Sequence, residues 1–144
     1  MNELKQEELF QSYQMIDLDE YIHSKHPSFG HLGEYIRSVG FETFRNNERE
    51  SIIELSKAED MILSLGGGSL NAKTMSALEG FTGVWLNTPF ETCYARIAND
   101  PVRPLSSMPK DELRELYTSR EDNYKRYFKV TDSRQVLDFI KSIL

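Results

Sequence analysis

The 144 residues contain a single cysteine, Cys93, so neither an internal disulfide nor a cysteine-based zinc site can form. Histidine is nearly as scarce. His23, His26 and His31 share one polar stretch, and a metal site there would need a carboxylate or a fourth ligand to converge on them. Positive charge is in deficit, with 17 Lys and Arg against 23 Asp and Glu and a formal net charge of −6. That balance argues against nucleic acid and against an anionic membrane surface as partners, since both demand clustered cations. No apolar run approaches the ~18 residues of a membrane span. The polar start MNELKQEEL lacks signal-peptide character. Internal repeats and low-complexity tracts are absent as well.

What remains is a globular composition, 39% hydrophobic and 28% charged, at a length that suits one domain over residues 1–144. The expectation is a cytoplasmic monomer.

Helix and strand patterns alternate along the chain. A polar helix is expected over Asn2–Tyr13, with Leu4, Leu9 and Phe10 as its apolar positions, and then a short strand over Gln14–Asp19. Helices follow near Leu32–Ser38 and from about Glu42 to Lys57, the second with Phe41, Arg45, Glu48 and Ile52 on one stripe. The apolar run Asp60–Leu65 stops at Gly66-Gly67-Gly68, and a helix is expected to open near Asn71. Thr82–Leu86 reads as a strand and Pro89–Asn99 as a helix, proline being well placed in a first turn. Asp100–Lys110 is rich in Pro and Ser and reads as a mobile loop. Asp111–Tyr124 reads as a helix, Phe128–Val130 as a strand, and Val136, Leu137, Ile140 and Leu144 as the stripe of a closing helix. Such alternation predicts an α/β domain around a mostly parallel sheet, whose ligands bind beyond the carboxyl ends of the strands.

Several residues near those ends can carry chemistry. Strand alternation sends Asp17 and Asp19 to one side, where two carboxylates can hold magnesium or take a proton from a hydroxyl. Equally, one of them can cap the next helix. Three glycines between a strand and a helix allow close approach of backbone to a ligand, with amides available for an anion. Gly67 to Thr74 (GGSLNAKT) nearly spells a phosphate loop, but Ala72 stands at the second glycine, where a Cβ obstructs the phosphates. Arg45 and Arg120 lie on otherwise apolar stripes, the latter with Leu113, Leu116, Tyr117 and Tyr124, so each needs an anion or a structural carboxylate. Glu48 can be that carboxylate for Arg45. Arg96 and Arg103 flank the mobile loop, where cations can close over phosphates. Cys93, Phe90, Tyr94 and Ile97 read as core.

Taken together, the chain resembles the shikimate kinase family from about Met15 onward. The residues that carry the likeness are Ile16-Asp17-Leu18-Asp19 with Ile22, Gly40 through Phe44-Arg45 and Glu48, and Leu65-Gly66-Gly67-Gly68. Further on stand Val84-Trp85-Leu86, Arg103-Pro104-Leu105, and Arg120 with Tyr124. Their order is more specific than any one of them. The resemblance implies a P-loop nucleoside-kinase-like three-layer sandwich with a parallel sheet, and transfer of the ATP γ-phosphate to the 3-hydroxyl of shikimate with Mg2+. It assigns Asp17 to magnesium and Asp19 to the shikimate hydroxyls as base. Arg45 and Arg120 fall to the shikimate carboxylate, and Gly66, Gly67 and Gly68 to the substrate-binding turn. Arg103 matches the lid arginine at the transferring phosphate, and Arg96 the one beside adenine.

The family pattern also opens with a strand and a phosphate loop, and Met1 falls about where that loop should end. No G-K-[ST] occurs in the 144 residues. That strand is the central one of the family's sheet, between the strands ending at Leu65 and Leu86. The expectation is a longer functional protein whose upstream residues supply both. The competing expectation is a catalytically inactive, shikimate-binding or interaction protein of the same fold, and a third is a different small-molecule kinase using the Gly67–Thr74 loop.

Overall fold

Residues 11–127, 129–131 and 133–143 are described by a computed structural model, in which the chain divides into two compact units, one ending at Gly80 and the other beginning at Phe81. In the first unit β1 (Gln14–Asp17) runs parallel to β2 (Met61–Ser64), with Gln14 opposite Met61 and Asp17 opposite Ser64. Parallel neighbours need a crossover. Three helices supply it: α1 (Leu18–Ser24), α2 (Leu32–Val39) and α3 (Phe41–Leu55). The helix expected over Asn2–Tyr13 lies outside the described residues, except for Gln11–Tyr13, which are not helical.

The expected strand Gln14–Asp19 is two residues too long. Asp17 ends β1 and caps α1, its Oδ1 accepting from the Glu20 N–H at 3.1 Å. With Asp19 and Glu20 in the first turn, three carboxylates favour a helix N-terminus here. Asp19 is therefore a helical residue, and strand alternation does not govern where it points. Leu18 and Ile22 of α1 are fully buried. They join Tyr35 and Ile36 of α2, and Phe44, Ile52 and Leu55 of α3, in the buried core of this unit.

α2 opens with a reciprocal cap. His31 Nδ1 accepts from the Glu34 N–H at 3.2 Å, while Glu34 Oε2 accepts from the Gly30 N–H at 2.8 Å. It ends at Gly40, whose φ of +85° lets α3 start at the next residue. The buried stripe of α3 is Phe44, Glu48, Ser51, Ile52 and Leu55. Phe41, expected on that stripe, is 42% exposed, because at the first helical position it lies one turn short of the packed face.

No α-helix opens at Asn71. Asn71 Oδ1 accepts from the Lys73 N–H at 2.9 Å and Thr74 Oγ1 accepts from the Asn71 N–H at 3.1 Å. Such side-chain bonds give the backbone an alternative to the helical ladder. A single 3-10 turn at Ser76–Leu78 follows instead.

In the second unit β3 (Val84–Leu86) runs parallel to β4 (Lys129–Thr131), Trp85 lying opposite Val130. α4 (Phe90–Ile97) and α5 (Lys110–Tyr127) form the crossover, and α6 (Ser133–Ile143) closes the chain. The last strand thus begins at Lys129; Phe128, expected to open it, lies outside the described residues. Phe90, Trp85 and Leu113 are buried, with Tyr117 edge-on to Phe90 at 5.5 Å and Tyr124 beside Trp85 at 5.3 Å. Glu91 of α4 pairs with Lys110 at 3.2 Å and Arg114 at 3.3 Å of α5. Between these helices the expected loop contains a 3-10 turn, Pro104–Ser107, which Arg103 precedes. No helix among the described residues is long and apolar enough to cross a membrane.

Candidate active site

The register of β1 on β2 puts Asp17 level with Ser64, so the segments leaving both strands emerge at the same end of the first unit. Asp19, in the first turn of α1, and the turn beginning at Gly66 meet there. A Cβ on Gly66 would lie 3.3 Å from Asp19 Oδ2, 3.4 Å from Asp19 Oδ1 and 3.4 Å from Ser69 Oγ. Glycine is what allows the carboxylate to approach the turn so closely.

α3 contributes the cation. Arg45 Nη1 donates to Glu48 Oε1 at 2.5 Å, one helical turn away. Its guanidinium also lies over the rings of Phe41 at 5.5 Å and Phe44 at 5.4 Å. Glu48 is fully buried, and its other oxygen, Oε2, accepts from Ser69 Oγ. A buried carboxylate is tolerated when both oxygens have partners, and here both do. The structural partner expected for Arg45 is therefore in place. The Arg45 side chain itself stays half-buried.

The Gly67–Thr74 segment is not arranged as a phosphate cradle. Thr74, at the hydroxyl position, is fully buried and donates to the Ser69 carbonyl. Lys73 turns to α3, donating to Asn46 Oδ1 at 3.0 Å. The hydroxyl that a phosphate loop would offer to a metal is thus buried and bonded within the fold, which argues against the third expectation.

In the second unit Arg96 is exposed in the last turn of α4. Arg103 is exposed too, its Nε 3.2 Å from Asp100 Oδ2. Arg120 is half-buried on the α5 face that carries Leu113, Leu116, Tyr117 and Tyr124. Burial, with the Glu121 charge nearby, pushes the Tyr117 hydroxyl above its ordinary range, and that hydroxyl donates to the Thr88 carbonyl at 2.7 Å. Of the four positions expected in the core of this helix Phe90 is buried, whereas Cys93, Tyr94 and Ile97 are half-buried.

The structure thus joins Asp19, Gly66 and, through Ser69 and Glu48, Arg45 within one unit; Arg96, Arg103 and Arg120 belong to the other. Sequence reasoning missed Ser69, and reached Thr74 only as the end of a near phosphate loop. Both are small polar residues beside a glycine run, and only their complete burial marks them. No group of three or more His, Cys, Asp or Glu side chains among the described residues can hold a metal by itself. The three histidines have other tasks: His23 Nε2 bonds the Phe29 carbonyl at 2.8 Å, His26 stacks on Tyr35 at 3.9 Å, and His31 caps α2.

The shikimate kinase family model matches residues 9–141. Shikimate kinase of Thermus thermophilus is 31% identical over 138 residues, which cover 90% of this chain and 73% of that one. The Persephonella marina enzyme is 29% identical over 116 residues, covering 78% and 68%, and that of Sulfurihydrogenibium 28% over 113 residues, covering 76% and 66%. Among solved structures, shikimate kinase from Acinetobacter baumannii, determined in complex with shikimate, superposes with a TM-score of 0.81 at 24% identity, covering 98% of this chain and 84% of that one. The Aquifex aeolicus enzyme gives 0.71 at 25% identity, covering 91% and 76%. The shared fold is that of the P-loop kinases, and the chain belongs to the shikimate kinase family of ATP-dependent phosphotransferases.

Proposed function

We propose that the protein phosphorylates the 3-hydroxyl of shikimate from ATP, the reaction of its family in chorismate and aromatic amino-acid biosynthesis. The observation that carries this reading is the contact of the Asp19 carboxylate with the turn at Gly66, linked through Ser69 and Glu48 to the Arg45 guanidinium. A carboxylate base, backbone at a glycine turn and an oriented arginine are the parts needed to hold a hydroxylated carboxylic acid.

In this reading Arg45 takes the shikimate carboxylate, and the family pattern gives Arg120 the same anion. Gly66, Gly67 and Gly68 present backbone to the ring hydroxyls. Asp19 accepts the proton of the 3-hydroxyl as its oxygen bonds to the γ-phosphorus and the bond to ADP breaks. Arg103 offsets charge on the transferring phosphoryl group, and Arg96 lies beside adenine. Asp17 fits magnesium by the chemistry of its donor: it is a hard carboxylate whose Oδ1 accepts from the Glu20 N–H, and such an ion takes one or two carboxylates, with water and nucleotide phosphates for the rest. When bound, it neutralises phosphate charge.

Titration calorimetry with shikimate tests the substrate assignment. Arg45→Ala and Arg120→Ala should each weaken binding by about 1.5–3 kcal/mol per lost charged hydrogen bond. An Arg45 variant that binds as tightly as wild type would reduce that residue to the partner of Glu48.

A further inference from the structure

Ser69 uses every polar atom it has. Its Oγ donates to Glu48 Oε2, its N–H donates to the Gly66 carbonyl at 3.1 Å, and its own carbonyl accepts from Thr74 Oγ1. Asn71 Nδ2 adds a bond to the Gly68 carbonyl at 3.0 Å. Ser69, Thr74 and Glu48 are all fully buried, so water does not compete for these bonds. One carboxylate therefore carries the arginine on Oε1 and the glycine turn on Oε2. Arg45 sits on α3 and the turn follows β2, so this carboxylate links two separate elements.

We propose that Ser69 is a positioning residue for the acceptor substrate: its hydroxyl, on a backbone that Thr74 holds by the Ser69 carbonyl, sets the distance between the Arg45 guanidinium and the Gly66–Gly68 backbone. The proposal rests on the reading of shikimate as that substrate. A rigid ring with a carboxylate at one edge and hydroxyls at another needs both groups met at once, and a guanidinium that can change rotamer meets only one. Removing the Ser69 hydroxyl leaves the charge of Arg45 in place and releases its orientation.

The test is the Ser69→Ala variant, read by shikimate calorimetry and by the NMR signal of the Arg45 side-chain Nε–H. Ser69→Ala should weaken shikimate binding by at least about tenfold, the scale of one hydrogen bond to a charged group. In an Arg45→Ala background it should change affinity less than about twofold, since a residue acting through Arg45 has nothing left to act on. The Arg45 Nε–H signal should shift or broaden. A folded Ser69→Ala protein with wild-type affinity, or an equal loss in both backgrounds, overturns the proposal. If Ser69→Ala does not fold, Thr74→Val and Thr74→Ser decide. The serine keeps the hydroxyl and should retain affinity, the valine should lose it, and identical behaviour of the two overturns the proposal. If wild type takes no shikimate, the substrate reading falls, and the Arg45 signal judges the positioning by itself: unchanged in Ser69→Ala, it ends the idea.

Discussion

Glu48 and Ser69, 21 residues apart, are both fully buried and joined by a hydrogen bond from Ser69 Oγ to Glu48 Oε2. The bond ties the central turn of α3 to the segment after β2. The same carboxylate holds Arg45. Four expectations follow from this unit and its neighbour.

Glu48→Ala should destabilise the protein by about 3 kcal/mol, the scale for breaking a buried ion pair, because Arg45 and Ser69 both lose their acceptor. Denaturant unfolding measures this. Glu48→Gln, which keeps the shape, one acceptor oxygen for Arg45 and an amide that can donate to Ser69 Oγ, should cost less, and an equal cost would mean that the charge carries the whole effect.

Gly66→Ala should weaken shikimate binding and lower stability by about 1–3 kcal/mol, the range for overfilling a packed position. The added Cβ would sit 3.3 Å from Asp19 Oδ2 and 3.4 Å from Ser69 Oγ, so the carboxylate or the serine must give way. Binding calorimetry and thermal unfolding on the same sample separate the two effects. Wild-type values in both would show that Asp19 has room to move.

Calorimetry of this 144-residue chain with Mg-ATP should show no micromolar binding. The sequence holds no G-x-x-x-x-G-K-[ST], and in its nearest approximation Thr74 and Lys73 are engaged with Ser69 and Asn46. Micromolar affinity would return the nucleotide to the Gly67–Thr74 segment.

Tyr117 should make the second unit sensitive to alkali. Burial raises the folded hydroxyl above its ordinary value of 10.0, so the unfolded chain releases this proton first. The contribution is complete below the unfolded pKa and is lost as pH rises through the folded one. Unfolding free energy measured at alkaline pH should fall as the pH rises past the ordinary tyrosine value. Tyr117→Phe should fall less steeply, and an identical slope would remove Tyr117 as the cause.

Much of this protein was legible in its sequence because the signals were local. Apolar periodicity marks α3 and α5, the glycine run marks the end of β2, and the paired aspartates mark the end of β1, whatever the rest of the chain does. The order of those pieces carried the family. Where two local signals competed, the sequence could not arbitrate: one of Asp17 and Asp19 reads equally as a chemical carboxylate and as a helix cap, and the bond from the Glu20 N–H identifies Asp17 as the cap. Asn71 and Thr74 likewise stop a helix through side-chain bonds that periodicity does not register. Ser69 had no local signal at all. Its role depends on α3 packing behind the turn that follows β2, so that a hydroxyl and a carboxylate 21 residues apart are closed off from water together, and only the tertiary structure brings that about.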